Sequence, residues 1–136
     1  MNMPISHLKL RIYYEDTDAD GSVYYANYLK FFERGRAEYL REIKISQSDL
    51  VKKNISFVVK KLDIDYMKPI HFDDLLNIKT YIKSYRTTSM IFAQNIYHEN
   101  GDLLCESSAL IVFINLSKKK ATAIPPEIIK ELNRAL

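Results

Sequence analysis

One stretch of this chain, from about Ala26 to Ile43, carries its apolar residues at helical spacing, while most of the chain beyond it alternates with period two. Tyr28, Phe31, Phe32, Gly35, Tyr39 and Ile43 fall on one face of the stretch. Lys30, Arg34, Glu38 and Arg41 fall on the other, as expected of a helix lying on a core. Arg34 and Glu38 are four apart, the spacing of a helical ion pair. Gly35 disfavours helix in isolation, so its place on the buried face predicts a close approach between this helix and a sheet.

The strands are read from alternation. Leu8, Leu10 and Ile12 against Lys9, Arg11 and Tyr13 predict a first strand over Leu8 to Tyr14. After a polar stretch, Ser46 to Asn54, come four more strand-like runs. Leu62, Ile64 and Tyr66 alternate up to Pro69; Leu76, Ile78, Thr80 and Ile82 form the next run; Ser89 to His98 and Leu103 to Asn115 are the last two. Between those two, Glu99-Asn100-Gly101-Asp102 carries the Asn-Gly signal of a type I′ hairpin. Leu110 to Ile114 is continuously apolar, as in a strand buried on both faces. Pro125-Pro126 then leads into a short helix from Glu127. This is an α+β pattern, with the four later strands read as an antiparallel meander. One helix cannot cover both faces of five strands, and an open edge strand is a liability, so an oligomer is expected.

Composition narrows the class. The chain has 136 residues, 47% of them hydrophobic, enough for one domain spanning 1–136. Its net charge of +3 is scattered apart from Lys118-Lys119-Lys120, which reads as a solvated turn. Its ten Tyr and six Phe are not interleaved with Arg and Lys as on an RNA-binding sheet, which argues against a nucleic-acid partner. The single cysteine, Cys105, can form no intrachain disulfide and sits in an apolar run, where it reads as core. The N-terminus has no apolar signal-peptide region and no run is long enough to span a membrane, so a cytoplasmic location is expected. His7, His71 and His98 are far apart and lack metal-ligand spacing.

The run Asp16-Thr17-Asp18-Ala19-Asp20-Gly21 admits three readings. It begins like a calcium-binding EF-hand loop, but the twelfth position is Asn27 rather than a bidentate glutamate, and the preceding element alternates as a strand. It is also good turn chemistry before a helix N-terminus. The third reading is catalytic. Unpaired N–H groups at the helix start can stabilise the oxyanion of acyl transfer, and a carboxylate just upstream can attack a carbonyl or deprotonate a water. Asp18, seven residues before Tyr25, is placed for that. The chain has no G-x-S-x-G elbow, no Walker A, no G-x-G-x-x-G and no H-E-x-x-H.

The segment YYEDTDADGSVYYANYLKFFERGRAEYLRE, from Tyr13, closely resembles the signature of hotdog-fold acyl-CoA thioesterases. It is similar to the 4-hydroxybenzoyl-CoA thioesterase superfamily and specifically to its YbgC-like branch. FVVKKLDIDYMKPIHFDDLLNIKTYI from Phe57 and YRTTSMIF from Tyr85 look like the same branch, so the likeness runs from about Leu8 to Pro125. The resemblance implies a hotdog fold: a long central helix on a five-stranded antiparallel sheet, joined into a homodimer or tetramer with active sites at the dimer interface. It implies hydrolysis of acyl-CoA, short-chain aliphatic or aromatic, to a free acid and coenzyme A, with no metal and no cofactor beyond the substrate's own coenzyme A.

By the same resemblance, Asp18 matches the catalytic aspartate, as nucleophile or general base. Tyr25 matches the helix-start position whose backbone N–H polarises the thioester carbonyl, and Tyr14 a tyrosine lining the site. Phe57, Val58 and Val59 are candidates for the acyl pocket, and Lys60, Lys61 and Arg86 for the coenzyme A nucleotide. The branch usually carries histidine where this chain has Tyr25, so any imidazole contribution is lost while the backbone donor survives. The hydroxybenzoyl branch also carries tyrosine there. A second reading is a binding module for acyl-CoA, acyl carrier protein or a protein partner, linked to phospholipid metabolism or the cell envelope. A hotdog dehydratase would want a histidine near the helix start, and this chain has none there.

Overall fold

The computed structural model describes residues 3–134. Strand β1 (Ile5–Arg11) leads through two 3-10 turns (Tyr14–Asp16 and Tyr25–Asn27) into the long helix α1 (Tyr28–Glu42). A short helix α2 (Gln47–Lys52) is next. Then come strands β2 (Ile55–Tyr66), β3 (Leu75–Tyr85), β4 (Ser89–His98) and β5 (Leu103–Asn115), a two-residue strand β6 (Lys120–Ala121), and helix α3 (Pro126–Arg134). All pairings are antiparallel, and the order across the sheet is β1-β3-β4-β5-β2, with β6 alongside β5. The sheet curls around α1, the architecture of a hotdog fold.

Four expectations need correction. Only β3, β4 and β5 form a meander; β2 crosses to the far side of β5, pairing Ile55 with Asn115 and Tyr66 with Cys105. Alternation identifies a strand but carries no information about a non-local partner. The first strand ends at Arg11, three residues early, because Tyr14–Asp16 turns back as a 3-10 segment. The polar stretch contains α2, which the Ser46 hydroxyl caps by accepting from Asp49 N at 3.3 Å. The Asn-Gly hairpin is not type I′. Gly101 alone takes positive φ (+97°) and its N–H donates to His98 O at 2.9 Å, the arrangement of a type I turn ending in a left-handed glycine.

Gly35 does what its position predicts. A Cβ there would lie 2.7 Å from Gln94 Nε2 and 2.9 Å from Thr80 Oγ1, so only glycine lets α1 lie this close to the sheet. Glu38 pairs with Arg41 rather than Arg34, with the acid N-terminal to the base, the better orientation on a helix. Cys105 is fully buried, and burial pushes its thiol up to about 12.

The core divides along α1. One cluster gathers Tyr39, Leu40, Ile82, Met90, Phe92, Ile111 and Phe113 and is closed by Leu50 of α2 and Ile128 and Leu132 of α3. The other gathers Ile12, Val23, Tyr28, Phe31, Phe32, Ile70, Leu76, Ile78, Ile96, Leu104 and Cys105 under the start of α1.

Candidate active site

The acidic run folds into a tight hairpin beside the start of α1. Asp18 N donates to Ser22 O at 2.8 Å, Gly21 N returns to Asp18 O at 3.0 Å, and Thr17 bridges Val23. Gly21 supplies the positive φ (+85°) the turn requires. The hairpin is fixed to the segment before β3: Val23 N donates to Ile70 O, and Phe72 N to Gly21 O, both at 2.8 Å.

The three aspartates have different employment. Asp16 Oδ2 accepts from Tyr13 N at 2.9 Å, and Asn27 Nδ2 donates to both Asp16 O and Asp16 Oδ1 at 3.3 Å. Asn27, the residue that breaks the EF-hand pattern, therefore ties the turn to the helix start. Asp20 Oδ1 accepts from Ser22 N at 3.0 Å and from Ser22 Oγ at 2.8 Å, which holds its carboxyl below its ordinary value. Asp18 is exposed, and among the described residues its carboxylate enters no hydrogen bond or ion pair. Two of the three carboxylates hold backbone in place; the third is left available.

After the hairpin comes the 3-10 turn Tyr25–Asn27. The first hydrogen bond of this turn runs from Asn27 N to Tyr24 O (2.8 Å), so the N–H groups of Tyr25 and Ala26 precede it and take no partner within the turn. Tyr25 thus opens a 3-10 turn that leads into α1, rather than the α-helix itself. Its carbonyl is held by the Tyr66 hydroxyl at 2.9 Å, and the Tyr66 ring meets Tyr28 edge-on at 4.8 Å. These contacts orient the peptide plane from the sheet. The Tyr24 phenol is pushed up, first by the adjoining Tyr25 side chain, whose ring meets it at 4.8 Å, and to a lesser degree by the charge of Asp18.

Tyr14 lies on the other 3-10 turn with its ring 5.6 Å from Phe72. It is 79% exposed and Tyr25 63%, so a single chain leaves the site uncovered. Asp18, Tyr25 and Tyr14 all lie on the connection between β1 and α1. The structure does not bring the other predicted residues to them within one chain. Phe57 packs into the opposite core cluster with its ring 5.7 Å from Phe113. Val58, Val59, Lys60 and Lys61 lie exposed along β2, and Arg86 on the β3–β4 turn, all toward the far end of the sheet from Tyr66. Sequence reasoning missed Tyr66 and Phe72 as site residues. Tyr66 was visible as the last apolar residue of its alternating run, and Phe72 comes after Pro69 as an apolar residue in a loop.

A family model described as the thioesterase-like superfamily matches residues 13–132. The acyl-CoA thioester hydrolase YbgC of Escherichia coli O6:H1 is 41% identical over 134 residues, 98% of this chain and 100% of that protein. The acyl-CoA thioesterase YbgC of Haemophilus influenzae is 40% identical over 120 residues, 88% of each chain. A solved probable thioesterase from Bartonella henselae superposes with a TM-score of 0.83 at 34% identity, over 90% of this chain and 100% of that one. The DHNA-CoA thioesterase of Staphylococcus aureus superposes with a TM-score of 0.91 over 96% of this chain and 90% of its own; at 24% identity it speaks for the fold alone.

Proposed function

The chain belongs to the thioesterase-like superfamily, and on that premise we propose that it hydrolyses acyl-CoA thioesters between Asp18 and the turn that opens at Tyr25. The observation that carries this reading is the division of labour in the acidic run, where Asp16 and Asp20 are committed to backbone while Asp18 is not. The thioester oxygen sits at the Tyr25 N–H, which gains strength as charge develops on it. Asp18 then acts in one of two ways. As nucleophile, it forms a C–O bond to the acyl carbon, the C–S bond breaks, coenzyme A leaves as a thiolate that takes up a proton, and water hydrolyses the mixed anhydride. As general base, it takes a proton from the water that attacks directly, and that proton ends on the thiol. Short-chain aliphatic and aromatic acyl groups are the proposed substrates.

A second copy completes the site. β2 hydrogen-bonds β5 on one side, and among the described residues nothing pairs its other edge, where Val58 and Val59 are 44% and 46% exposed. If two copies join antiparallel about the middle of β2, Ile55 of one lies opposite Tyr66 of the other, and Phe57 opposite Ile64. The segment Phe57–Lys61 and Arg86, remote from Asp18 in their own chain, then approach the site of the partner. Phe57, Val58 and Val59 wall the acyl group there, and Lys60, Lys61 and Arg86 meet the coenzyme A phosphates. A homodimer, alone or doubled into a tetramer, is the functional unit.

The test is thiol release from a panel of acyl-CoAs by the wild type and by Asp18→Asn. At least a hundredfold loss in kcat is expected. Equal rates would overturn the mechanism. Saturable binding with no release across the panel would favour a binding module, including one for acyl carrier protein.

A further inference from the structure

The chain enters α1 without a side-chain cap. The residue ahead of the 3-10 turn is Tyr24, in extended conformation, and its side chain accepts no hydrogen bond from the turn. Serine, threonine, aspartate or asparagine in that place would take up one of the free N–H groups. Asn27, which stands ahead of α1 itself, does not cap it either, and its amide goes to Asp16. Among the described residues, the N–H groups of Tyr25 and Ala26 therefore have no partner from backbone or side chain. The turn is at the surface: Tyr24 and Tyr25 are exposed, and Ala26 is half-buried.

One side chain of the sheet reaches the backbone of this turn. The Tyr66 hydroxyl donates to Tyr25 O at 2.9 Å. A carbonyl can only accept, so the direction of the bond is fixed. Burial first, and then the neighbouring Cys105 and Tyr25, push the Tyr66 phenol up, so the donor keeps its proton. The phenol is itself held from two sides. Tyr66 ends β2 opposite Cys105, and the N–H groups of Met67 and Lys68 after it both donate to Leu104 O, at 2.9 and 3.1 Å. Its ring stands edge-on to the buried ring of Tyr28 at 4.8 Å.

Covalent geometry decides which N–H this bond strengthens. Tyr25 C=O and Ala26 N–H belong to one planar, resonance-delocalised peptide unit, whereas Tyr25 N–H belongs to the unit before it. A donor on the oxygen draws electron density toward it and leaves the proton on nitrogen more positive, so the Tyr66 bond makes Ala26 N–H the stronger donor. The same bond fixes the plane of that unit, and with it the direction of the Ala26 N–H.

We propose that Tyr66 is a positioning residue for thioester hydrolysis, acting through the Ala26 N–H, which joins the Tyr25 N–H as a second donor to the thioester oxygen. This rests on the thioesterase reading. Adjacent free N–H groups at a helix start point the same way, out of its N-terminal end, and can meet one oxygen. Charge grows on that oxygen as the acyl carbon becomes tetrahedral, so the contribution of Tyr66 falls on the transition state rather than on substrate binding.

The test is Tyr66→Phe, which keeps the ring and removes only the hydroxyl. A neighbouring bond strengthens a hydrogen bond by about 10–30%, and an oxyanion donor is worth about a hundred- to a thousandfold in kcat. A fall in kcat of about two- to eightfold with KM unchanged is therefore expected. In protein carrying isotope-labelled alanine, the Ala26 amide nitrogen resonance should move upfield in the variant, because the bond at the preceding carbonyl is gone. A hydroxyl with a purely structural role would lower the thermal midpoint and leave kcat of the folded variant as it was. An unchanged kcat, a loss seen in KM alone, or an unmoved Ala26 resonance overturns the proposal. If the variant does not fold, the wild type decides, with an acyl-CoA analogue carrying a methylene in place of the thioester sulfur. The amide protons of Tyr25 and Ala26 should then both move downfield, and any result in which Ala26 stays in place overturns the proposal. If the wild type releases thiol from no acyl-CoA, the thioesterase reading has failed and this proposal with it.

Discussion

The two ends of α1 are built to different standards. Around its C-terminal half the core is closed on every side: Phe92 meets Tyr39 edge-on at 5.6 Å, and Leu50, Ile128 and Leu132 seal the cluster from α2 and α3. Around its N-terminus the chain displays Tyr13, Tyr14, Tyr24, Tyr25, Tyr66, Met67 and Phe72, each close to half exposed or more. So many large apolar groups at one end is a functional surface rather than incidental exposure. The closed end supplies stability, and the open end is the one that the proposed function has substrate and a second copy of the chain complete.

That contrast can be broken in order of effect. Phe92→Ala, at the closed end, is expected to cost about 3–5 kcal/mol of stability, read as a lower midpoint in urea. At temperatures where the variant is folded, kcat should be unchanged. A kcat that falls with the midpoint would mean that the two ends are not separate. Val59→Asp, on the open edge of β2, places a charge where two copies would meet. Sedimentation should show monomers, and thiol release should fall roughly in proportion; a fully active monomer would refute the shared site.

The smallest effect is in pH. Cys105 and Tyr28, both under the open end, have their pKa values raised to about 12 by burial, from ordinary values of 9.0 and 10.0. The unfolded chain ionises first, so the stability these groups contribute is intact below about pH 9 and is lost as pH rises toward 12. Cys105→Ala should flatten the part of that decline beginning near pH 9. An unchanged profile would mean that the thiol is not sealed.

Much of this was legible in the sequence. Helical spacing located α1, and Gly35 marked the point of closest approach to the sheet. The acidic run read as turn chemistry at Asp16 and Asp20, which the hydrogen bonds of both bear out, while the role of Asp18 rests on the resemblance and is a proposal. The features that stayed hidden did so for physical reasons. The pairing of β2 with β5 is non-local, and local alternation is blind to it. α2 is six residues long with only Leu50 buried, too short to show a period. The acyl and nucleotide contacts expected of Phe57–Lys61 and Arg86 could be drawn from resemblance but not located, because within one chain these residues lie away from Asp18, and the proposed function has a second chain bring them to it.

The most direct test lies in the three carboxylates of one hairpin. Asp16→Asn, Asp18→Asn and Asp20→Asn, made side by side, can be followed by thermal midpoint and by thiol release from one acyl-CoA. Asp18→Asn is predicted to keep its midpoint and lose at least a hundredfold in kcat. Asp16→Asn and Asp20→Asn are predicted to lower the midpoint, at a cost of about 1 kcal/mol each, while keeping most of their activity. A stable, fully active Asp18→Asn would contradict the catalytic role assigned to that carboxylate, as would losses of activity shared equally among the three.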